Sequence, residues 1–255
     1  MRKPQHPLPW LEAGQDFPSV GSAWADGDPA PGLLAAGGTL DTATLVRAYS
    51  HGIFPWYSLG QPTLWWSPNP RMVLQTDQFK LHRSLRKTVQ RFTAQPGCEV
   101  LFDTSFDRVI NACASQLRGG KPGTWILPEM VAAYCALHAA GRAHSVETWV
   151  NGELVGGLYC VNLGAMVFGE SMFAHATDAS KNALCALVAF CRARGIAIID
   201  CQQNTGHLAS FGATEISRTA FTEHVAQSIT QPAPRWRFDP VYWLEILPPQ
   251  TPPTP

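Results

Sequence analysis

The chain has 255 residues, and its 19 Lys and Arg balance 19 Asp and Glu, so the formal net charge is zero. Apolar residues make up 45% and charged residues only 15%, which excludes wholesale disorder and a charge-driven nucleic-acid coat protein. The seven Cys are odd in number and none has CxxC spacing, which excludes a disulfide framework and a zinc knuckle and leaves reduced thiols.

Residues 1–32 read as loop, punctuated by Pro and Gly. The first ten carry charge and no apolar core, so no secretory signal is expected. No run of about 18 apolar residues occurs anywhere, so no membrane span is expected either. Asp41 can cap a helix whose apolar side is Leu45, Val46 and Tyr49 and which closes at Gly52. The stretch from Phe54 to Pro70 is rich in Trp and Pro, and its Pro spacing forbids a regular helix.

From Lys80 to Phe92 the period is helical. Leu81, Leu85, Val89 and Phe92 share one side, Lys80, Arg83, Lys87 and Arg91 the other, and Arg86 lies near the edge. No acid stands between Asp77 and Glu99. The balanced total therefore hides one cationic face suited to phosphate contact. A further helix is predicted from Pro128 to just before Gly141.

The middle of the chain is predicted to be strand-rich. Ser145–Val150 alternates, Asn151-Gly152 signals a type I′ hairpin, and Glu153–Val161 returns. A turn at 162–164 leads to a strand ending at Gly169. Asp178–Arg194 reads as a helix capped by Asp178, and Ile196–Asp200 as a short buried strand. That order implies a mixed α+β sheet layer. From Gln231 the Pro-rich tail reads as an extended wrap or a partly disordered segment. The expected division is a small N-terminal α/β domain over 1–70, a larger mixed-sheet domain over 71–230, and the tail over 231–255.

Two carboxylates stand out. Asp200 is expected at the carboxyl end of a strand, where ligands collect in open α/β sheets, with Cys201-Gln202 following. Glu170 is expected at another strand end beside Met172 and Phe173, where a carboxylate needs a partner such as a ligand amine. The eight His show no HExxH or other ligand spacing, so no metal is expected, and His144 and His207 read as hydrogen-bonding or core residues. A Cys201–His207 thiol dyad is conceivable, but a buried inert Cys is the simpler reading. The turn 173–178 holds no Gly, unlike the phosphate-cradling turn of an acetyltransferase that uses coenzyme A.

Blocks spread in order over about residues 8–225 carry a resemblance. They include Gly-Leu-Leu-Ala-Ala-Gly-Gly-Thr-Leu (32–40), Ala-Tyr-Ser-His-Gly-Ile-Phe-Pro-Trp-Tyr-Ser (48–58) and Leu-Trp-Trp-Ser-Pro-Asn-Pro-Arg (64–71). Gly-Thr-Trp-Ile (123–126), Gly-Glu-Ser-Met-Phe (169–173) and Ile-Asp-Cys-Gln (199–202) are others. Together these resemble the leucyl/phenylalanyl-tRNA–protein transferases of bacteria. The resemblance implies an N-terminal domain followed by a Gcn5-type acetyltransferase-like domain. It implies transfer of Leu or Phe from Leu-tRNA or Phe-tRNA to proteins beginning with Arg or Lys, which marks them for degradation. It implies a cytoplasmic enzyme without cofactor; a monomer is the default.

Site roles follow from the matched positions. Asp200 and Gln202 would stand at the reacting ester, and Glu170 would hold the α-amine of the aminoacyl group. Leu158, Met172 and Phe173 would line the side-chain pocket. Trp56 and Trp125 would pack near the terminal adenosine, and Arg83, Arg86 and Lys87 would contact the tRNA body. Leu158 stands where several members have Met, a swap that roughly keeps the volume.

Overall fold

A computed structural model of the chain describes residues 7–116 and 126–247. In chain order its elements are β1 (Trp10–Leu11), β2 (Leu33–Gly37), α1 (Thr42–Ser50), β3 (Phe54–Pro55), β4 (Leu64–Trp66) and β5 (Arg71–Gln75). Next come α2 (Arg83–Ala94), β6 (Cys98–Phe102), α3 (Phe106–Ser115), α4 (Pro128–Ala139), β7 (Ala143–Val150), β8 (Glu153–Leu163) and β9 (Met166–Ala174). The chain closes with α5 (Ala179–Ala193), β10 (Ile198–Gln202), α6 (Gly206–Ser210), β11 (Thr214–Ile216) and α7 (Arg218–Ser228).

The strands form two mixed sheets, as the α+β reading anticipated. A four-stranded sheet has the order β1-β2-β4-β3, and a seven-stranded sheet the order β11-β5-β10-β9-β8-β7-β6. In the large sheet β9 and β10 run parallel, joined through α5. Asn151 and Gly152 both have positive φ, at 51° and 79°, as a type I′ turn between β7 and β8 requires.

Alternation along the strands feeds a core on each face of the large sheet. Tyr159, Val161 and Phe168 join the core shared with α1, α3, α4 and α7, whereas Leu158, Cys160 and Val167 join the core under α2 and α5. The small sheet packs into the first core through Leu34, Phe54 and Trp65.

Several local expectations are corrected. The cationic helix α2 begins at Arg83 rather than Lys80, because the Lys80 N–H is taken by the Phe211 carbonyl at 2.8 Å. Asp178 does not cap α5 with its side chain. It lies in the left-handed region at φ 64°, and its carboxylate accepts instead from Lys181 Nζ at 2.7 Å. The strand expected to end at Gly169 continues to Ala174, because β8 pairs with it as far as Gly156. Helix α3 and strand β6 had no reading in the sequence.

The segment from Trp236 to Leu247 packs on the α5 face. The Trp236 ring stacks on His144 with centroids 4.1 Å apart, and its Nε1–H donates to Asn162 Oδ1 at 3.1 Å. Arg192 Nη1 donates to the Glu245 carbonyl at 2.8 Å. Trp236→Ala is therefore expected to lower stability by about 3 kcal/mol, read as a fall in the urea midpoint. An unchanged midpoint would show that this strap adds nothing to the core.

Candidate active site

The site forms where two parallel strands part. The last rung between β9 and β10 joins Phe168 to Asp200, yet β9 runs on to Ala174 with only β8 as its neighbour. Gly169 stands at the parting point, where an added Cβ would lie 3.2 Å from the Asp200 carbonyl oxygen. Beyond it a cavity of about 580 Å³ opens.

The cavity is lined by both apolar and polar side chains. Leu158, Met172, Phe173, Leu184, Leu187 and Ile199 supply apolar walls. Glu170, Asp200 and Gln202 supply the polar groups, and Trp56, 37% exposed, lines it from the small sheet's β3–β4 loop. Leu158 and Phe173 are buried, whereas Met172 is half-buried. Of the residues assigned to the acyl site from sequence, only Trp125 lies outside the described residues. Thr205 and His207 add a second rim. His207 is exposed, not a core residue, and burial together with Lys181 holds its imidazole below the usual value.

Asp200 is fully buried in a fork-to-fork ion pair. Arg71 Nε donates to Oδ1 at 2.8 Å and Nη2 to Oδ2 at 2.7 Å, with both side chains at most 1% exposed. The Gln202 backbone N–H also donates to Asp200 Oδ1, at 2.9 Å. The β10 register slips between Asp200 and Gln202, and Gln202 takes a left-handed φ of 62°. A non-glycine residue held there is strained, and such strain collects at functional sites. The bulge turns the Gln202 side chain so that Nε2–H donates to Glu170 Oε1 at 3.0 Å.

Glu170 sits in the middle of β9, not at its end. Tyr49 donates to Oε1 at 2.7 Å and Tyr134 to Oε2 at 3.2 Å, while the two hydroxyls lie 2.5 Å apart. Burial and the Asp200 charge push the Glu170 carboxyl up to about 8, against the pull of both tyrosines and Arg71. Burial and Glu170 also raise both phenols well above their ordinary value. The sequence reading placed Tyr49 in an apolar stripe, which is true of its ring but not of its hydroxyl. Arg71, Tyr49 and Tyr134 were all missed as site residues. The one available signal was a charged Arg opening the apolar run Met72-Val73-Leu74.

The thiol dyad finds no support. Burial pushes the Cys201 thiol up, and its Sγ points to the Ile199 carbonyl at 3.7 Å. Asp103, His138 and His144 do gather within ligand distance of one another, which the spacing hides. Two of their ring nitrogens are already engaged: His144 Nδ1 lies 2.7 Å from Asp103 Oδ2, and His138 Nδ1 2.8 Å from the Ala143 carbonyl.

Helix α2 stands beside this cavity. His82 Nε2 lies 2.6 Å from the Ser210 carbonyl of α6, and Thr88 Oγ1 donates to Asp178 at 3.4 Å, just before α5. Leu85, Val89 and Phe92 anchor its inner side. Arg83, Lys87 and Arg91 are exposed and Arg86 is half-buried. None of the four enters an ion pair among the described residues.

Comparisons with known proteins bear on this arrangement. Residues 73–226 match the family model described as leucyl/phenylalanyl-tRNA protein transferase, and residues 38–69 match that of its N-terminal domain. A leucyl/phenylalanyl-tRNA–protein transferase of Polaromonas sp. is 65% identical over 255 residues, covering 100% of both chains. One of Albidiferax ferrireducens is 60% identical, covering 96% of each. Among solved structures, the crystal structure of FemX is similar at 10% identity and a TM-score of 0.42, over 72% of this chain and 71% of that one. No helix among the described residues is long and apolar enough to cross a membrane.

Proposed function

Because the chain belongs to the leucyl/phenylalanyl-tRNA protein transferase family, we propose that it moves Leu or Phe from aminoacyl-tRNA to the N-terminal Arg or Lys of acceptor proteins. The product carries a destabilising N-terminus and is marked for degradation. The enzyme acts as a cytoplasmic monomer with no cofactor; residues 71–230 carry the transfer with help from the 1–70 domain, and the strap from Trp236 to Leu247 braces it. The observation that carries this reading is the cavity at the parting of β9 and β10, whose lining joins apolar side chains to the bonded pair Glu170 and Gln202.

Each part of an aminoacyl-adenosine has a counterpart there. The unbranched Cβ and apolar side chain of Leu or Phe enter among Leu158, Met172 and Phe173. One misplaced methyl changes binding by only about 1–3 kcal/mol, so shape alone disfavours Ile and Val modestly. Glu170 receives the α-ammonium, which gives its carboxylate the partner that burial demands. Trp56 packs against the terminal adenosine.

The reaction then needs orientation more than activation. The acceptor's neutral α-amine attacks the ester carbonyl, a C–N bond forms, and the C–O bond to the ribose breaks. The amine gives up a proton and the ribose oxygen takes one. Gln202, held at both backbone and side chain, offers a preorganised polar group where charge develops. Asp200 stands behind it.

The direct test is to incubate purified protein with labelled Phe-tRNA and peptides that begin with Arg, Lys or Met. Label is expected on the first two and not on the third. Absence of label on all three would remove this reading.

A further inference from the structure

We propose that Arg71 is a positioning residue of the transfer reaction: it clamps Asp200 so that Asp200 fixes Gln202 and takes no proton itself. This rests on the transfer activity inferred above and deepens it.

The clamp leaves Asp200 little freedom. A carboxylate accepts about four hydrogen bonds, and Arg71 Nε, Arg71 Nη2 and the Gln202 N–H fill three of those positions. A proton arriving on Asp200 would displace an arginine donor from a pair in which both side chains are at most 1% exposed. A general base must instead reach and exchange its proton with a substrate.

Arg71 is itself held from several directions. Nη1 donates to the Gly52 carbonyl at 3.1 Å, and the guanidinium lies over the Phe54 and Phe221 rings at 4.8 and 4.5 Å. The segment before it is fixed too, because Arg218 donates through its backbone N–H to Asn69 Oδ1 at 2.9 Å and through Nη1 to the Ser67 carbonyl at 2.7 Å. Phe54 adjoins Pro55 and Trp56 at the cavity mouth. One side chain therefore ties the mouth contributed by the small sheet to the bulge in β10.

The downstream consequence lies at Gln202. Its left-handed backbone persists because Asp200 Oδ1 holds its N–H, and that backbone aims Nε2 at Glu170. Loosening Arg71 frees Asp200 to rotate, lets the bulge relax, and moves the Gln202 amide away from Glu170. Lysine is no substitute, because a point charge cannot make the planar fork.

The experiment compares Arg71→Lys, Asp200→Asn and the double variant with the wild-type protein in transfer of Phe from Phe-tRNA to an Arg-initiated peptide. Steady-state rates are taken across pH. Each single variant is expected to lose about 100-fold in kcat, as a displacement of about 1 Å does, with KM for Phe-tRNA within about twofold. The double variant is expected to lose no more than either single one, since both act through one unit. The pH profile of Arg71→Lys is expected to keep its wild-type shape.

Titratable and charged neighbours of Asp200 are Arg71 on β5, Glu170 on β9 and Cys201 on its own strand. A new limb that appears in Arg71→Lys and vanishes in the double variant would identify Asp200 as the proton acceptor and overturn the proposal. So would wild-type kcat in Arg71→Lys. If Arg71→Lys does not fold, Asp200→Asn decides alone. Residual transfer with the wild-type pH profile supports an anchor, and loss of every turnover supports a base. Failure of the wild-type protein in the same assay would instead strike the activity itself.

Discussion

Glu170→Gln is expected to reduce transfer about 100- to 1000-fold and to flatten the pH dependence of Phe-tRNA binding. In the free protein the Glu170 carboxyl is pushed up to about 8, chiefly by burial, so it carries its proton at neutral pH. The α-ammonium of an aminoacyl group favours the ionised form and must displace that proton. Binding at pH 7 is therefore expected to release a proton, and affinity should rise with pH until about 8 and fall above it, where the amine loses its own charge. Gln cannot ionise, so both effects should vanish in the variant. An amide-linked Phe-tRNA analogue, stable across the range, allows the affinity to be measured without hydrolysis. A pH-independent affinity in the wild-type protein would remove Glu170 from amine recognition, as would a variant that transfers within threefold of wild type.

The same carboxyl has an effect on stability of definite sign. Its folded value lies above the ordinary 4.5, so folding favours the neutral form. The stability it contributes is complete below about 4.5 and is lost as pH rises through about 8. Glu170→Gln is thus expected to gain about 4 kcal/mol relative to wild type between pH 5 and pH 9, in urea unfolding. A constant difference between the two proteins across that range would contradict burial as the force that holds the Glu170 carboxyl up.

What the sequence revealed follows from how far each interaction reaches. The hairpin of β7 and β8 was legible because period-two alternation and Asn151-Gly152 are local signals. The strands of the small sheet run for two to five residues through Trp and Pro, too short for any period to show. Gly169 suggested the end of a strand, but whether β9 ends there depends on β8, which continues to pair with it.

The site divides in the same way. Asp200, Gln202 and Glu170 sit in short recognisable blocks. Arg71 meets Asp200 across 129 positions, and Tyr49 meets Glu170 across 121, so no window could have paired them. In helix α1, Tyr49 fills a core position with its ring and carries its hydroxyl to the site, and the periodicity registers only the ring.

Reversing two charges on α2, Arg83→Glu with Lys87→Glu, is expected to weaken tRNA binding about 100-fold at low salt. Arg83, Arg86 and Lys87 crowd the first turn or so of a helix with no acid there and no side-chain cap. That is the positive end of the helix dipole, where cations are unfavourable by a few tenths of a kcal/mol each. They do not serve the stability of α2, which comes from Leu85, Val89 and Phe92. The variant should therefore be as stable as wild type, or slightly more so, while its affinity for tRNA falls. Every phosphate that the helix no longer neutralises takes about 0.7–0.9 off the slope of log affinity against log salt, so losing two should shrink the slope by roughly 1.4–1.8. Transfer from a short aminoacyl-adenosine donor, which carries no tRNA body and enters a cavity that no α2 residue lines, should stay near the wild-type rate. These opposite responses separate a tRNA-holding face from a solvated helix surface. An unchanged salt slope would take α2 off the path of the tRNA, whatever happened to the overall affinity.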